Sequence, residues 1–392
     1  MVPRLDARSV VADGLARQHL HEDGLSTDVV QVATDLVGLH ATVAPNPYLQ
    51  LLVRVAGFER SMLDRELYQR RSLARVRCMR GTLFVLPLDL LPIAWAATRG
   101  KVLDASTEYL ASQGLTGTSY QRWADRIDAV LVGQALSAAE VRSALQAGRD
   151  VPVPAVLNQM CDEGRLLRDR PVAGWRDARN TYRRFREALP HLQLDSCNPA
   201  EATRQLAERY IARYGPVTLE DVAWWTGLGV GRCRTALAEL EDRITPVRVP
   251  GWDGDYLVLR SDLDRMVHGA ALRRTQLSLL ASLDPYTMGY HRRARMVDAE
   301  RHAMVYDRSG NVTSVVLVDG RVAGVWDVLA HRREALFFSF LDPTHTVEER
   351  LRTELAAIGA VITGSAVSVR RLDRMTPLTE RRAGWVVKPL HD

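Results

Sequence analysis

Residues 218–251, TLEDVAWWTGLGVGRCRTALAELEDRITPVRVPG, carry the clearest structural pattern in the chain. Thr218 and Asp221 form a helix-capping signal, and Gly227 and Gly229 interrupt the chain after the first helical run. A second helical run follows, and then a strand-like run that begins with RITPV. The order of helix, turn, helix, strand and loop is typical of a winged helix.

Two earlier segments repeat this order. Ser137 and Glu140 form a capping box before a helix, which is followed by a second helical run to Glu163 and by the strand-like run RLLRDRPV. Near the N-terminus a helical pattern covers about residues 6–20 and ends near Gly24. We therefore predict three tandem winged-helix (helix-turn-helix) units, over residues 1–115, 116–195 and 196–260.

The segment from Thr27 to His40 predicts the second helix of the first unit. Asp28 and Gln31 have the spacing of a helix cap. Because a residue before proline avoids the helical conformation, we expect this helix to end at or before Ala44. The apolar residues that recur at helical spacing are Val29, Val32, Ala33, Leu36 and Val37.

The last part of the chain is richer in strand-like runs. The segment SVVLVDGRVAGVWDVL places Asp319 and Gly320 between two β-branched runs, which is a strong hairpin signal. The segments ALFFSFLD and AVSVRRLDR predict further strands, and residues 347–358 predict a helix between them. We predict a β-rich domain over residues 261–392, so that the whole chain has an α+β fold.

The composition is that of a globular protein with several domains, since 46% of the 392 residues are apolar and 25% are charged. All but two of the 52 basic residues are arginines, and the exceptions are Lys101 and Lys388. The four cysteines have neither disulfide nor zinc spacing, so we expect free thiols and no metal. The N-terminus lacks a secretory signal and no apolar run spans a membrane, so we expect a soluble, cytoplasmic monomer.

Arginines cluster in three places. Eight lie between Arg165 and Arg186, with Trp175, Tyr182 and Phe185 among them. Six lie within residues 65–80, and a third cluster follows His291. Basic side chains with interleaved aromatic rings favour contact with nucleic-acid phosphates and bases. The alternative is a solvated surface in an arginine-rich protein.

The segment GLHATVAPNPYLQ holds a possible catalytic pair. His40 continues the apolar stripe of the predicted helix, so we expect its imidazole to point into the protein or a cleft. Thr42 is two residues further on, and an extended backbone would put both side chains on one side. The alternative is a buried histidine with a purely structural role.

Five segments of the chain resemble the AlkZ/YcaQ superfamily of bacterial DNA glycosylases. They occur in family order from Val37 to Asp327: VGLHATVAPNPYLQLLVRV, CMRGTLFVLP, RYIARYGPVTLEDVAWWTGL, SLLASLDPYTMGYHRR and VVLVDGRVAGVWD. The resemblance implies three winged helices closed by a β-rich domain. It also implies hydrolysis of the N-glycosidic bond of alkylated purines, typically N7-alkylguanine, in repair, crosslink unhooking or self-resistance to a genotoxic natural product.

The resemblance also implies the site residues. The family's catalytic motif is usually Gln-x-Gln or Gln-x-Asp, and this chain has His40, Ala41 and Thr42 at the matching positions. We therefore predict His40 and Thr42 as catalytic residues, with no cofactor, acting on double-stranded DNA. The predicted residues for DNA or substrate binding are Tyr48, Arg80, Trp175, Arg176, Arg179, Arg183, Arg184, Asp284, Tyr290, His291, Arg292 and Arg293.

The charge state of His40 and the presence of catalysis are both open on sequence alone. A nearby cationic adduct would favour neutral His40, whereas a helix C-terminus would favour the charged form. The departure from the glutamine motif also leaves an alternative function, which is a winged-helix DNA-binding regulator without catalysis. Release of a base from alkylated duplex DNA distinguishes an enzyme from a regulator.

Overall fold

The computed structural model describes residues 2–21, 24–269, 272–341 and 344–380. It confirms a mixed α+β architecture. The first part of the chain forms a three-stranded antiparallel sheet in the order β1-β3-β2, with four helices around it. Its elements are α1 (Ala7–Arg17), α2 (Val29–Asp35), β1 (Leu39–His40), α3 (Asn46–Leu52), α4 (Arg60–Tyr68), β2 (Leu73–Arg77) and β3 (Leu83–Pro87).

Helix α2 is shorter than predicted. Asp28 caps it as expected, because its carboxylate accepts the backbone N–H groups of Val30 and Gln31. The helix ends at Asp35, however, and the next turn contains Val37 and Gly38, both with positive φ (54° and 107°). The expectation that His40 lies on this helix is therefore wrong. It lies on strand β1, opposite Phe84 of β3.

The second part of the chain confirms the capping box of Ser137 and Glu140 at the start of a helix. Its strands form a sheet in the order β4-β6-β5, and a cluster of apolar residues between its helices forms a local core. Its elements are α5 (Leu91–Ser112), α6 (Gly117–Val130), β4 (Leu136–Ser137), α7 (Ala138–Ala144), α8 (Val153–Asp162), β5 (Leu166–Pro171), β6 (Asn180–Arg184) and α9 (Phe185–Ala188).

The third part confirms the cap of Thr218 and Asp221 and the helix end at Gly227, which adopts the left-handed conformation (φ 73°). The order of two helices and then a strand recurs here. The count of three winged-helix units and their boundaries stay predictions. The elements are α10 (Pro199–Tyr214), α11 (Leu219–Thr226), α12 (Val230–Ala238), β7 (Ile244–Val247), β8 (Tyr256–Leu259) and α13 (Leu263–Val267).

The C-terminal part is a five-stranded sheet in the order β13-β12-β11-β10-β9. The predicted hairpin is confirmed, since Asp319 and Gly320 both have positive φ at its turn (47° and 77°). The predicted helix and strands also form. The elements are β9 (Leu277–Leu280), α14 (Pro285–Met288), α15 (His302–Val305), β10 (Val315–Val318), β11 (Arg321–Leu329), β12 (Glu334–Ser339), α16 (His345–Thr363) and β13 (Ser368–Arg371).

The largest hydrophobic core runs through all four parts. It joins Phe84 of the first sheet, Leu206 and Trp225 of the third part, and Leu280 and Val325 of the C-terminal sheet. All four cysteines are free thiols, and three of them are buried. None of the helices in the described residues is both long and apolar enough to cross a membrane.

Candidate active site and DNA-binding surface

His40 is buried at the end of strand β1, where only 4% of it is exposed. The side chain of Gln50, on α3, bonds to the backbone of His40 in both directions. Its oxygen accepts the His40 N–H (3.1 Å) and its amide donates to the His40 carbonyl (3.0 Å). The imidazole lies against the Phe84 ring, with 5.1 Å between ring centres. These contacts fix the position of the imidazole.

A buried ion pair holds Gln50 in place. Arg54 donates to the backbone carbonyl of Gln50 (3.0 Å) and makes two bonds to the Asp284 carboxylate (2.8 and 2.7 Å). Both side chains of the pair are fully buried. Asp284 also caps α14 by accepting the N–H of Tyr286. Sequence reasoning missed Gln50 and Arg54, although both lie in the segment that carries the family resemblance.

Two polar atoms of the site lack a partner within the described protein. Nδ1 of His40 and Oγ1 of Thr42 are buried, and neither forms a hydrogen bond with the described residues. His40 is the last residue of strand β1, and Thr42 lies two residues further on, in the bend that follows the strand. Leaving a buried polar atom unpaired costs about 1–3 kcal/mol, so each of the two atoms needs a partner from outside the protein, such as a water molecule or a ligand.

His40 is held neutral by its surroundings. Burial, and to a smaller extent the positive charge of Arg80, lower the pKa of His40 to about 3. His40 lies on strand β1 and not in the last turn of α2, where the sequence would have favoured its charged form, so the neutral form is the one that its surroundings favour. At neutral pH its ring nitrogens are one donor and one acceptor.

Arg80 lies in the turn between β2 and β3, where its φ is +56°. The end of α11 approaches this turn closely, at Gly227. A Cβ at Gly227 would stand 2.6 Å from the backbone nitrogen of Arg80, so only glycine allows this approach. The guanidinium carbon of Arg80 is 4.1 Å from the centre of the Trp224 ring. Burial and the charge of Arg293 lower the pKa of Arg80 to about 10, so it stays charged at neutral pH.

Three of the predicted binding residues lie in the interior. Tyr48 donates to Asp64 (2.6 Å), Tyr290 donates to the Tyr214 carbonyl (3.0 Å), and Asp284 pairs with Arg54. Their polar groups are thus used within the protein. Contact between these three side chains and DNA is therefore still only a prediction, and their buried placement does not support it.

The predicted arginines of the second part lie on and around the β5–β6 hairpin. Trp175 is half-buried in its loop, with its ring edge towards Tyr48 (5.3 Å between ring centres). Five of the eight arginines pair with carboxylates: Arg165, Arg168, Arg179, Arg183 and Arg184. The other three, which are exposed and form no ion pair with a described carboxylate, are Arg170, Arg176 and Arg186. These three form the unpaired arginine group of the hairpin.

The third predicted cluster follows α14. His291 and Arg292 are exposed, and their backbone N–H groups donate to the buried carboxylate of Asp221 (2.7 and 3.2 Å). Arg293 points inward and is 9% exposed. Its guanidinium carbon is 5.0 Å from the centre of the Trp224 ring. The structure thus joins this cluster to Arg80 through one tryptophan, which the sequence did not predict.

Comparisons with known proteins agree with this architecture. The family model described as "DNA glycosylase AlkZ-like" matches residues 33–361. An interstrand DNA cross-link repair glycosylase of Streptomyces sahachiroi is 27% identical over 379 residues, covering 93% of this chain and 98% of that protein. The solved structure of Streptomyces sahachiroi DNA glycosylase AlkZ superposes with a TM-score of 0.75 at 23% identity, covering 94% of this chain and all of the other. This structural similarity establishes a shared fold.

Proposed function

The chain belongs to the AlkZ-like family of DNA glycosylases, and from this premise we propose that it hydrolyses the N-glycosidic bond of bulky N7-alkylguanine nucleotides in duplex DNA. The name of the related interstrand DNA cross-link repair glycosylase supports crosslinked DNA as a substrate. Such an activity serves DNA repair or self-resistance to a genotoxic compound. The observation that carries the proposal is the pair of unpartnered polar atoms on His40 and Thr42.

The main task of the protein in this reaction is to position the damaged nucleotide and the attacking water. Alkylation at N7 makes the guanine cationic, so the bond electrons move to the base as it leaves in neutral form. The sugar passes through an oxocarbenium-like state, as in other glycoside hydrolysis. Water then adds to C1′ and one proton is released to solvent. The enzyme must hold that water on the open face of the sugar.

His40 is better suited to holding the water than to removing its proton. A general base works best when its pKa is near the working pH, and the pKa of His40 is lowered to about 3. Neutral Nδ1 can accept a hydrogen bond from water, which requires the proton on Nε2. Thr42 Oγ1 offers a second hydrogen bond. Water oriented in this way can capture the oxocarbenium carbon without early loss of its proton.

The test is base release from a duplex that carries one bulky N7-alkylguanine, measured by mass spectrometry of the free base under single-turnover conditions. We expect His40→Ala to slow release about 100-fold or more, in the range typical of removing a catalytic group. Thr42→Val should slow it about tenfold, since the water keeps only one of its two hydrogen bonds to the protein. Affinity for the duplex should stay within a few-fold, because phosphate binding is separate from the chemistry.

The matched control is His345→Ala, which removes an exposed imidazole at the start of α16. It should leave base release unchanged. Excision by His40→Ala at the wild-type rate would exclude His40 from the mechanism. A wild-type protein that binds the duplex and releases no base would instead favour the non-catalytic regulator.

A further inference from the structure

Two arginines from distant parts of the chain meet at Trp224. Arg80 comes from the β2–β3 turn and Arg293 from the segment after α14, whereas Trp224 belongs to α11. Their guanidinium carbons lie 4.1 and 5.0 Å from the centre of the indole ring. We call these two side chains the Trp224 arginine pair.

Two glycines make this convergence possible. A Cβ at Gly227 would stand 2.6 Å from the backbone of Arg80, and a Cβ at Gly310 would stand 2.9 Å from both Arg293 and Trp224. Both glycines have positive φ (73° and 77°), which disfavours other residues. The backbone is therefore shaped to bring the two cations together.

The pair has no carboxylate within ion-pair distance among the described residues, and the more distant charge of Asp307 offsets only part of the burial that lowers the pKa of both arginines. Neither Arg80 nor Arg293 forms an ion pair with a described carboxylate, and Nε of the buried Arg293 has no hydrogen-bond partner there. The neighbouring carboxylate of Asp307 accepts the backbone N–H groups of Ser309 and Asn311. Two adjacent cations in a partly desolvated place are unfavourable unless an anion joins them.

We propose that the Trp224 arginine pair binds one phosphodiester of the damaged strand, next to the nucleotide whose sugar faces His40. The guanidinium is planar and offers a fork of donors that matches phosphate oxygens. Arg80 is four residues before Phe84, whose ring contacts the imidazole of His40, and the charge of Arg80 acts on that imidazole. A phosphate bound by the pair is therefore placed on the side of the reacting sugar. This inference rests on the proposed function, because it assumes that DNA reaches His40.

The test uses duplexes that contain a tetrahydrofuran abasic analogue and one neutral methylphosphonate linkage, placed at a different position in each duplex. We expect one linkage near the analogue to weaken wild-type binding about tenfold or more, because it removes charge-assisted hydrogen bonds. In Arg80→Gln/Arg293→Gln the same linkage should change affinity less than about twofold. The slope of log K against log salt should also fall by about one.

Two further variants make the result specific. Arg176→Gln/Arg186→Gln should weaken binding to every duplex but leave the sensitive linkage sensitive. Arg80→Lys keeps the charge without the fork and should retain part of the linkage effect. If the double variant does not fold, as judged by circular dichroism, the same comparison is made with Arg80→Gln alone.

The proposal is overturned if each methylphosphonate linkage changes the affinity of the wild type and of the double arginine variant by the same factor. The pair would then not contact the DNA backbone. Binding to the abasic analogue requires no base release. A protein that shows the linkage effect but never excises a base contradicts the proposed function and leaves the phosphate site standing.

Discussion

His40 shows how its surroundings keep a buried histidine neutral. The residue is 4% exposed and lies in the field of Arg80, and burial, with a smaller contribution from this positive charge, opposes protonation of its ring. The sequence predicts that His40 is buried, but by a helical stripe that ends at Asp35, whereas the burial comes from its place on strand β1. The charge state depends first on burial and then on Arg80, forty residues later in the chain, and is therefore visible only in the folded protein.

The low pKa of His40 predicts a pH-dependent contribution to stability. In the unfolded chain this histidine has its ordinary pKa near 6.5, whereas in the folded protein the pKa is about 3. Between these values the unfolded state binds the extra proton, so the free energy of unfolding falls as pH falls from about 6.5 towards 3. The slope from this one group is about 1.4 kcal/mol per pH unit.

We expect His40→Gln to remove this slope, because an amide does not titrate. Urea unfolding of both proteins at pH 7, 5.5 and 4.5 should show the variant gaining stability relative to the wild type as pH falls. His345→Gln, at an exposed position, is the control and should follow the wild type. A constant difference between His40→Gln and the wild type would mean that His40 titrates normally in the folded protein.

At the scale of elements, the β5–β6 hairpin separates arginines that are already paired from those that are available. Arg183 shares Asp169 with Arg71, and Arg184 lies between Asp128 and Glu187. Such partners offset the charge that a phosphate would meet. The unpaired arginine group of the hairpin is therefore the better candidate for DNA binding.

We predict that Arg176→Gln/Arg186→Gln weakens binding to all duplex sequences and lowers the salt slope by roughly two, about 0.9 for each phosphate that an arginine no longer neutralises. The matched control is Arg332→Gln/Arg333→Gln, which removes the same charge from the turn between β11 and β12. The salt dependence of duplex affinity, measured for both, separates local binding from net charge. Equal slopes in the two variants would show that the hairpin surface is merely solvated.

The elements themselves follow from local sequence wherever the interactions that start and end them are local. The boxes at Ser137 and Thr218 and the turn at Asp319 each involve residues at most three positions apart, and all three form as predicted. The end of α2 does not follow, because the turn that contains Gly38 packs closely on β3. A Cβ on Gly38 would stand 2.5 Å from Leu86, so the distant strand determines where the chain turns.

At the scale of the whole molecule, the site is assembled from separate parts of the chain. Arg54 and Asp284 are 230 residues apart, yet their ion pair supports Gln50 and thereby His40. The sequence motif around Asp284 led to the prediction that this carboxylate contacts DNA or substrate. A motif does not reveal which residue its members bind, so the partner Arg54 was not predicted. Removal of one member of a buried pair leaves an uncompensated charge, so these residues position the site through the fold.

The reaction product provides the last prediction, which concerns the chain's whole inventory of amines. A glycosylase that cuts the strand forms a Schiff base with an amine. In the described residues Lys101 is the only lysine, and its amine donates to the Gly227 carbonyl at the end of α11 (2.8 Å), whereas Lys388 and the N-terminus lie outside those residues. Arginine stays protonated and cannot substitute for lysine.

We therefore expect an intact abasic site, no strand cleavage and no covalent adduct when sodium borohydride is added during turnover. A trapped protein–DNA band on a denaturing gel that persists in Lys101→Arg would point to another amine. A band that disappears in that variant would make Lys101 the nucleophile and overturn the water mechanism.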